Sequence, residues 1–374
     1  MAGQTTLRLR KIWFQVHKWI GIALAVLIIP ISLTGSALVW HDALDGALNP
    51  ERRATSPATL PASAYEAAAR KALAPGETLA SIAFPDGKGA VVATATRAPA
   101  PGGGRPVRTQ IYLDPASGAV VDRASSNEGL VHVFHVLHGS LMVPGVGRQI
   151  VGWIGVFMLL SSLTGLWLWW PVTGSVSRGF RWKRQPTTSA NLHHLTGFWI
   201  AIPLAMLSFT GAWISFPAFF AQISGDPAGP SPAERMRRMA AVPAAETRID
   251  VDVARVLAER FANGPLATIT WPAGKEPKWK VAFRGPGGIA EVSVDDATGK
   301  ASPPKPPQPE TTARLMRRLH DGTGMGAIWQ AIIFAGGIIP ALLAVTGIMM
   351  WLRTRRWRGE VARRQAANRA VPAE

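Results

Sequence analysis

The chain has 374 residues, 48% of them hydrophobic, and a formal net charge of +17. It has no cysteine, which excludes disulfides, thiolate-bound metals and a Cys-x-x-Cys-His cofactor attachment. The basic residues cluster beside apolar runs, so the charge reads as membrane topology and contact with anionic lipid rather than as a nucleic-acid surface.

In chain order, Arg8, Arg10 and Lys11 lead into an apolar run over 19–40. Its length exceeds the hydrophobic core of a secretory signal, and it has an internal copy that cannot be one, so it reads as a retained span. Further apolar runs lie at 150–170, 195–216 and 328–352, each long enough to cross a hydrocarbon core of ~30 Å. Arg178, Arg181, Lys183 and Arg184 fall between the second and third runs, and Arg353, Arg355, Arg356 and Arg358 follow the fourth. Short basic flanks mark the cytoplasmic side. Both termini and the middle loop are therefore expected inside, with the two long inserts outside.

Each insert has its own pattern. In the first, 62–73 predicts a helix, and 79–84, 90–96, 107–113 and 119–122 predict strands. In the second, 251–261 predicts a helix, with strands near 267–271, 278–283 and 289–294. The turns Asp114-Pro115-Ala116-Ser117-Gly118 and Asp295-Asp296-Ala297-Thr298-Gly299 match: Asp caps the turn and Gly accepts positive φ. Pro/Gly-rich stretches at 98–106, 224–232 and 301–309 are expected to be flexible.

The two halves align almost without gaps. His17 and Thr34-Gly35 recur 176 residues later as His193 and Thr210-Gly211. His138 and His320 each precede a Thr-Gly by 26 residues, at Thr164-Gly165 and Thr346-Gly347. A lone histidine at a membrane boundary is ordinarily an interfacial polar residue, but decoration has no reason to recur at equal spacing. Two equivalent pairs, His17 with His193 and His138 with His320, at opposite faces of a four-helix bundle are what two bis-histidine haems require. His194 is an alternate to His193, because neighbours on a helix point about 100° apart. His135 is an alternate on the stripe His132, His135 and His138, which can also hold a Cu or Zn ion; for His132 and His41 the plain reading is a polar face at the membrane surface. The four Thr-Gly pairs read first as helix packing. Gly322-x-Gly324-x-x-Ala327 fits a dinucleotide pattern but follows no βαβ strand and is set aside.

The segments Trp13-x3-His17-Lys18-Trp19, Leu137-His138-Gly139-Ser140-Leu141 and Leu163-Thr164-Gly165, with the helix–sheet–turn inserts, resemble the PepSY-associated transmembrane family from about residue 10 to 360. The resemblance implies a bacterial inner-membrane protein with four transmembrane helices in two tandem repeats, each with an exterior, periplasmic α+β PepSY-like module. The divisions are then 1–41 (N-terminus, first span), 42–137 (module), 138–172 (second span), 173–192 (inner loop), 193–217 (third span), 218–319 (module), 320–353 (fourth span) and 354–374 (basic tail). Some relatives resemble haem-containing ferric-siderophore reductases. The resulting expectation is an oxidoreductase with two haem b per chain, fed by a quinol or cytoplasmic reductant and acting on a ferric siderophore, with no catalytic residue beyond the haem ligands. The alternatives are a non-enzymatic regulatory or ligand-sensing PepSY protein and a siderophore or metal permease. Against the permease, no acidic residue lies in mid-span.

Overall fold

The computed structural model describes residues 2–97, 107–170, 177, 180–182, 185–226, 234, 241–274, 277–286, 288–306 and 309–370. The basic loop residues Arg178, Lys183 and Arg184 and the stretch 98–106 lie outside these, as does most of 224–232. The chain divides into two compact units, one of Met1–His41, Phe134–Pro227 and Glu310–Glu374, the other of Asp42–Val133 and Ala228–Pro309.

Among the described residues, four helices are long and apolar enough to cross a bilayer, all in the first unit: α1 (Ala2–Val39), α5 (Gly147–Trp169), α6 (Thr188–Ser215) and α10 (Gly326–Ala370). At 1.5 Å per residue even α5 reaches about 35 Å, enough for a core of ~30 Å. Val26, Ile202 and Ile328 are exposed on these helices, as side chains facing lipid must be. The protein is therefore a membrane protein. The spans form a ring in which α1 and α6 each pack against both α5 and α10. With no hydrophobic drive between helices in lipid, close approach over small residues holds such a ring together. Ser36 of α1 donates to the Phe334 carbonyl at 2.7 Å, and its side chain fills the place where a Cβ on Gly337 would stand. A Cβ on Gly155 of α5 would likewise stand only 3.0 Å from the Ser208 carbonyl of α6.

Two short helices, α4 (Leu130–Ser140) and α9 (Thr312–Asp321), precede α5 and α10. Leu141 and Met142, both at positive φ, separate α4 from α5, and Gly322 at φ 78° ends α9. His138 and His320 thus lie on separate short helices rather than at the heads of the spans. Asp226 accepts from the Thr312 and Ala313 amides and Thr311 caps Arg314, which satisfies the first turn of α9.

The second unit is one eight-stranded antiparallel sheet with order β4-β3-β2-β1-β5-β6-β7-β8. Its strands are β1 (Glu77–Ala83), β2 (Val91–Arg97), β3 (Arg108–Leu113), β4 (Val120–Ser125), β5 (Leu266–Thr270), β6 (Lys278–Gly285), β7 (Gly288–Asp295) and β8 (Ala301–Ser302). The two inserts do not fold as separate modules. Ser81, Ile82 and Ala83 of β1 pair with Thr270, Ile269 and Thr268 of β5, and one core runs through both inserts, including Tyr65, Ile82, Ile111, Ile269, Trp279 and Val292. Joining the sheets covers two edges that would otherwise be exposed. α3 (Ala62–Lys71) and α8 (Val251–Ala258) pack on this sheet and on each other. The join extends to capping: Pro61 has no side-chain cap to offer α3, and Asp252 of α8 accepts from the Ala62 amide at 2.9 Å instead. The matching turns form as expected. Asp114 and Asp295 each accept from the amide and hydroxyl three residues on, at Ser117 and Thr298, with Gly118 and Gly299 at positive φ. The elements run in the same order in both halves: span, short helices, four strands, short helix, span.

Glu77 of β1 ties β3 and β4 to its own strand. Its carboxylate accepts from Thr109 Oγ1 at 2.6 Å, Arg123 Nη2 at 2.6 Å and the Ala74 amide at 2.8 Å. Burial pushes its pKa up, but these bonds outweigh burial and hold it below the ordinary carboxylate value. A depressed carboxylate contributes stability above its unfolded pKa and loses it as pH falls through the folded one. Glu77→Ala should cost about 1–3 kcal/mol at neutral pH and much less in acid. Amide hydrogen exchange in β1–β3, corrected for intrinsic rates, will read this difference.

Candidate functional site

Four histidines are held in the first unit by one repeated device. His17, on α1, places Nδ1 3.0 Å from the Ser161 carbonyl and 3.3 Å from Thr164 Oγ1, both on α5. A carbonyl only accepts, so Nδ1 carries the proton and Nε2 the lone pair. Thr164 is committed as an acceptor because its own hydroxyl donates back to the Leu160 carbonyl at 2.8 Å. The ring lies against Gly165, where a Cβ would come within 3.1 Å of Cε1.

The other three rings likewise lie over the glycine of a Thr-Gly pair, and two of them bond its threonine. His193 of α6 bonds through Nδ1 to Thr346 Oγ1 at 3.0 Å and lies over Gly347 of α10. His320 of α9 bonds to Thr210 Oγ1 at 3.0 Å and the Leu207 carbonyl at 3.2 Å, over Gly211 of α6. His138 of α4 bonds to the Ile31 carbonyl at 2.8 Å, over Gly35 of α1. The Thr-Gly pairs are therefore imidazole cradles first. The reading of them as helix packing is revised, since the glycine faces a ring and not a neighbouring backbone.

The cradled rings meet in pairs. His17 and His193 have centroids 6.3 Å apart and planes at 84°. His138 and His320 are 6.0 Å apart at 42°. His17 and Gly35 share α1 and are 18 residues apart, so the two levels are separated by about 27 Å along that helix. For the pair beyond the spans, burial, then the neighbouring His138, hold the His320 imidazole down at about 4, and burial lowers His138 too. Both rings are neutral at physiological pH, as metal ligation demands.

The alternates fall elsewhere. His194 stacks on Trp169 at 5.8 Å and 23°, so of the two adjacent histidines it is His193 that meets His17. Trp169 is itself buried, and its indole nitrogen has no hydrogen-bond partner. His135 lies beside His41, at 6.0 Å. Among the described residues no three or more His, Asp or Glu gather where they can hold a metal ion. Two imidazoles bound trans through nitrogens at ~2 Å from one metal ion, each nitrogen about 1 Å from its ring centre, put the centroids roughly 6 Å apart. Both pairs have that spacing. The glycines of 322–326 form the turn between α9 and α10, with Gly322, Gly324 and Gly326 at positive φ, and make no nucleotide loop.

Residues 14–354 match the family described as the PepSY-associated TM region. No curated protein matches the chain at a significant level.

Proposed function

Because the chain belongs to the PepSY-associated TM family, we propose that it is a di-haem b oxidoreductase of the bacterial inner membrane that delivers electrons across the bilayer to a ferric siderophore. The observation that carries this reading is the pair spacing of 6.3 and 6.0 Å, with the Nδ1 of every ring tied down so that Nε2 is the ligating atom. When bound, haem b supplies one-electron Fe(III)/Fe(II) chemistry. The chain's part is to orient and rigidify. The carbonyls of Ser161, Ile31 and Leu207 and the hydroxyls of Thr164, Thr210 and Thr346 fix tautomer and ring angle, as outer-shell partners of ligating histidines do. The unpartnered Trp169 N–H, one turn beyond Gly165, supplies a donor for a polar group of a cofactor beside the inner pair.

With four spans, the two inserts emerge on one side of the bilayer, and basic residues next to the other ends make that other side cytoplasmic. The inserts are then periplasmic, and His138 and His320 lie toward the substrate. Reduction releases iron because Fe(II) matches hard oxygen chelators less well than Fe(III) does. The sheet is wholly antiparallel and offers no βαβ nucleotide site among the described residues, so the reductant is a quinol or a cytoplasmic donor.

Protein purified from haem-replete cells should show a split Soret and a sharp α-band on dithionite reduction, with two haem b per chain by pyridine haemochrome. His17→Ala or His193→Ala should remove one and His138→Ala or His320→Ala the other. A colourless preparation overturns the reading.

A further inference from the structure

We propose that His41 and His135 form a separate binding site for one divalent first-row transition-metal cation. His41 opens α2 (His41–Leu48) just beyond the end of α1, and His135 stands on α4. Their rings are 6.0 Å apart with planes at 76°. Both side chains are exposed, unlike those of the two cradled pairs, so a hydrated cation reaches them without opening the bundle. His41 Nδ1 is 3.1 Å from the Leu38 carbonyl. Nδ1 therefore carries the proton and Nε2 the lone pair, the tautomer a metal ligand needs, already set by the chain.

Two imidazoles on one four-coordinate ion, with bonds of ~2.0–2.1 Å, place their centroids about 5 Å apart. The present spacing exceeds that by roughly 1 Å, which a small torsion of either exposed side chain covers. Each ring is anchored on a helix, so the approach is preset. Neutral imidazole selects Zn(II), Cu(II), Ni(II), Co(II) or Fe(II) over Mg(II) and Ca(II), which want oxygen. Among the described residues no group of three or more His, Asp or Glu gathers at one point, so the two imidazoles are the ligands the site is built on.

This pair stands outside the repeat. The positions corresponding to His41 and His135 in the second half carry Pro217 and Arg317, and a guanidinium repels a cation. The duplication that generates the two cradled pairs does not generate this one, so the expected stoichiometry is one ion per chain.

The test uses the full chain in detergent, purified without a polyhistidine tag and titrated with Zn(II) calorimetrically. One saturable Zn(II) per chain is expected. His41→Ala and His135→Ala should each weaken it by at least about ten-fold, while His132→Ala leaves it unchanged. Cu(II) added to the wild type should give an electron paramagnetic resonance signal with coupling to two nitrogens, which needs no variant. Absence of saturable binding, wild-type affinity in the double variant, or no nitrogen coupling overturns the site. Haem content read in the same samples separates this outcome from the proposed function: colourless protein that binds Zn(II) removes the haems and leaves the site, and haem-loaded protein that does not bind removes the site alone.

Discussion

Gly35→Ala should strip the outer histidine pair of its proposed haem and leave the inner pair loaded. A Cβ at residue 35 stands 2.6 Å from His138 Cε1 and 2.9 Å from Nδ1, closer than carbon atoms pack. The ring must retreat, breaking its 2.8 Å bond to the Ile31 carbonyl and leaving a buried donor or acceptor unpaired at a cost of about 1–3 kcal/mol. The four cradles are not equally tight. Gly165 and Gly211 leave 3.1 Å to His17 and His320, and Gly347 leaves 3.5 Å to His193, an ordinary contact. Haem b per chain should therefore fall to about half in Gly35→Ala, less far in Gly165→Ala and Gly211→Ala, and not at all in Gly347→Ala. Alanine is the better helix former, so propensity alone predicts no loss. Gly152→Ala supplies a contrast: its Cβ would meet Phe216 and Ser215 at 2.6 and 2.7 Å, so it strains the α5–α6 packing through those side chains rather than through a histidine ring. Equal haem in all four cradle variants would refute the cradle assignment.

The sequence carried the elements well and their partners poorly. Hydropathy located all four spans, because a bilayer demands length and apolarity from each span independently. Alternation and the Asp-x-Ala-Ser/Thr-Gly turns located seven of the eight strands; β8, two residues inside a stretch read as flexible, has too little pattern to find. The β1–β5 pairing that merges the inserts joins Ser81 to Thr270 and has no local signal, since each strand reads the same with or without that neighbour. The four ligand candidates were legible because duplication repeats their spacing. Their cradles were half legible. Thr-Gly recurred at a matching distance from each histidine in the aligned halves, yet Thr-Gly that receives a ring and Gly that receives a helix, such as Gly155 or Gly337, look alike in sequence. Only the fold sets His138 on Gly35 and His17 on Gly165. The choice between His193 and His194 likewise needed the position of Trp169, and the His41–His135 contact, unrepeated and 94 residues apart in the chain, had no spacing rule to expose it.

The proposed exit of electrons at the outer pair has a directional consequence. Chemically reduced protein mixed with a ferric siderophore in a stopped-flow instrument should re-oxidise, and an Fe(II) trap should colour in proportion. His320→Ala should bring this transfer down to the rate of the protein-free mixture while sparing the inner pair's spectrum. His320 is held through Thr210 and the Leu207 carbonyl on α6, beside its ring neighbour His138. The inner cradles lie about 27 Å away along the spans and share none of these contacts, so additivity across that distance is expected. His17→Ala should do the converse. It should leave re-oxidation of the outer chromophore by the siderophore intact and slow reduction from the donor side, because the chain is then broken where electrons enter. Unchanged transfer in His320→Ala removes that residue from the path. Faster loss in His17→Ala than in His320→Ala would reverse the direction, and with it the assignment of the basic ends to the cytoplasm. No re-oxidation by any ferric chelate would leave the paired histidines without this substrate and favour a regulatory role for the protein.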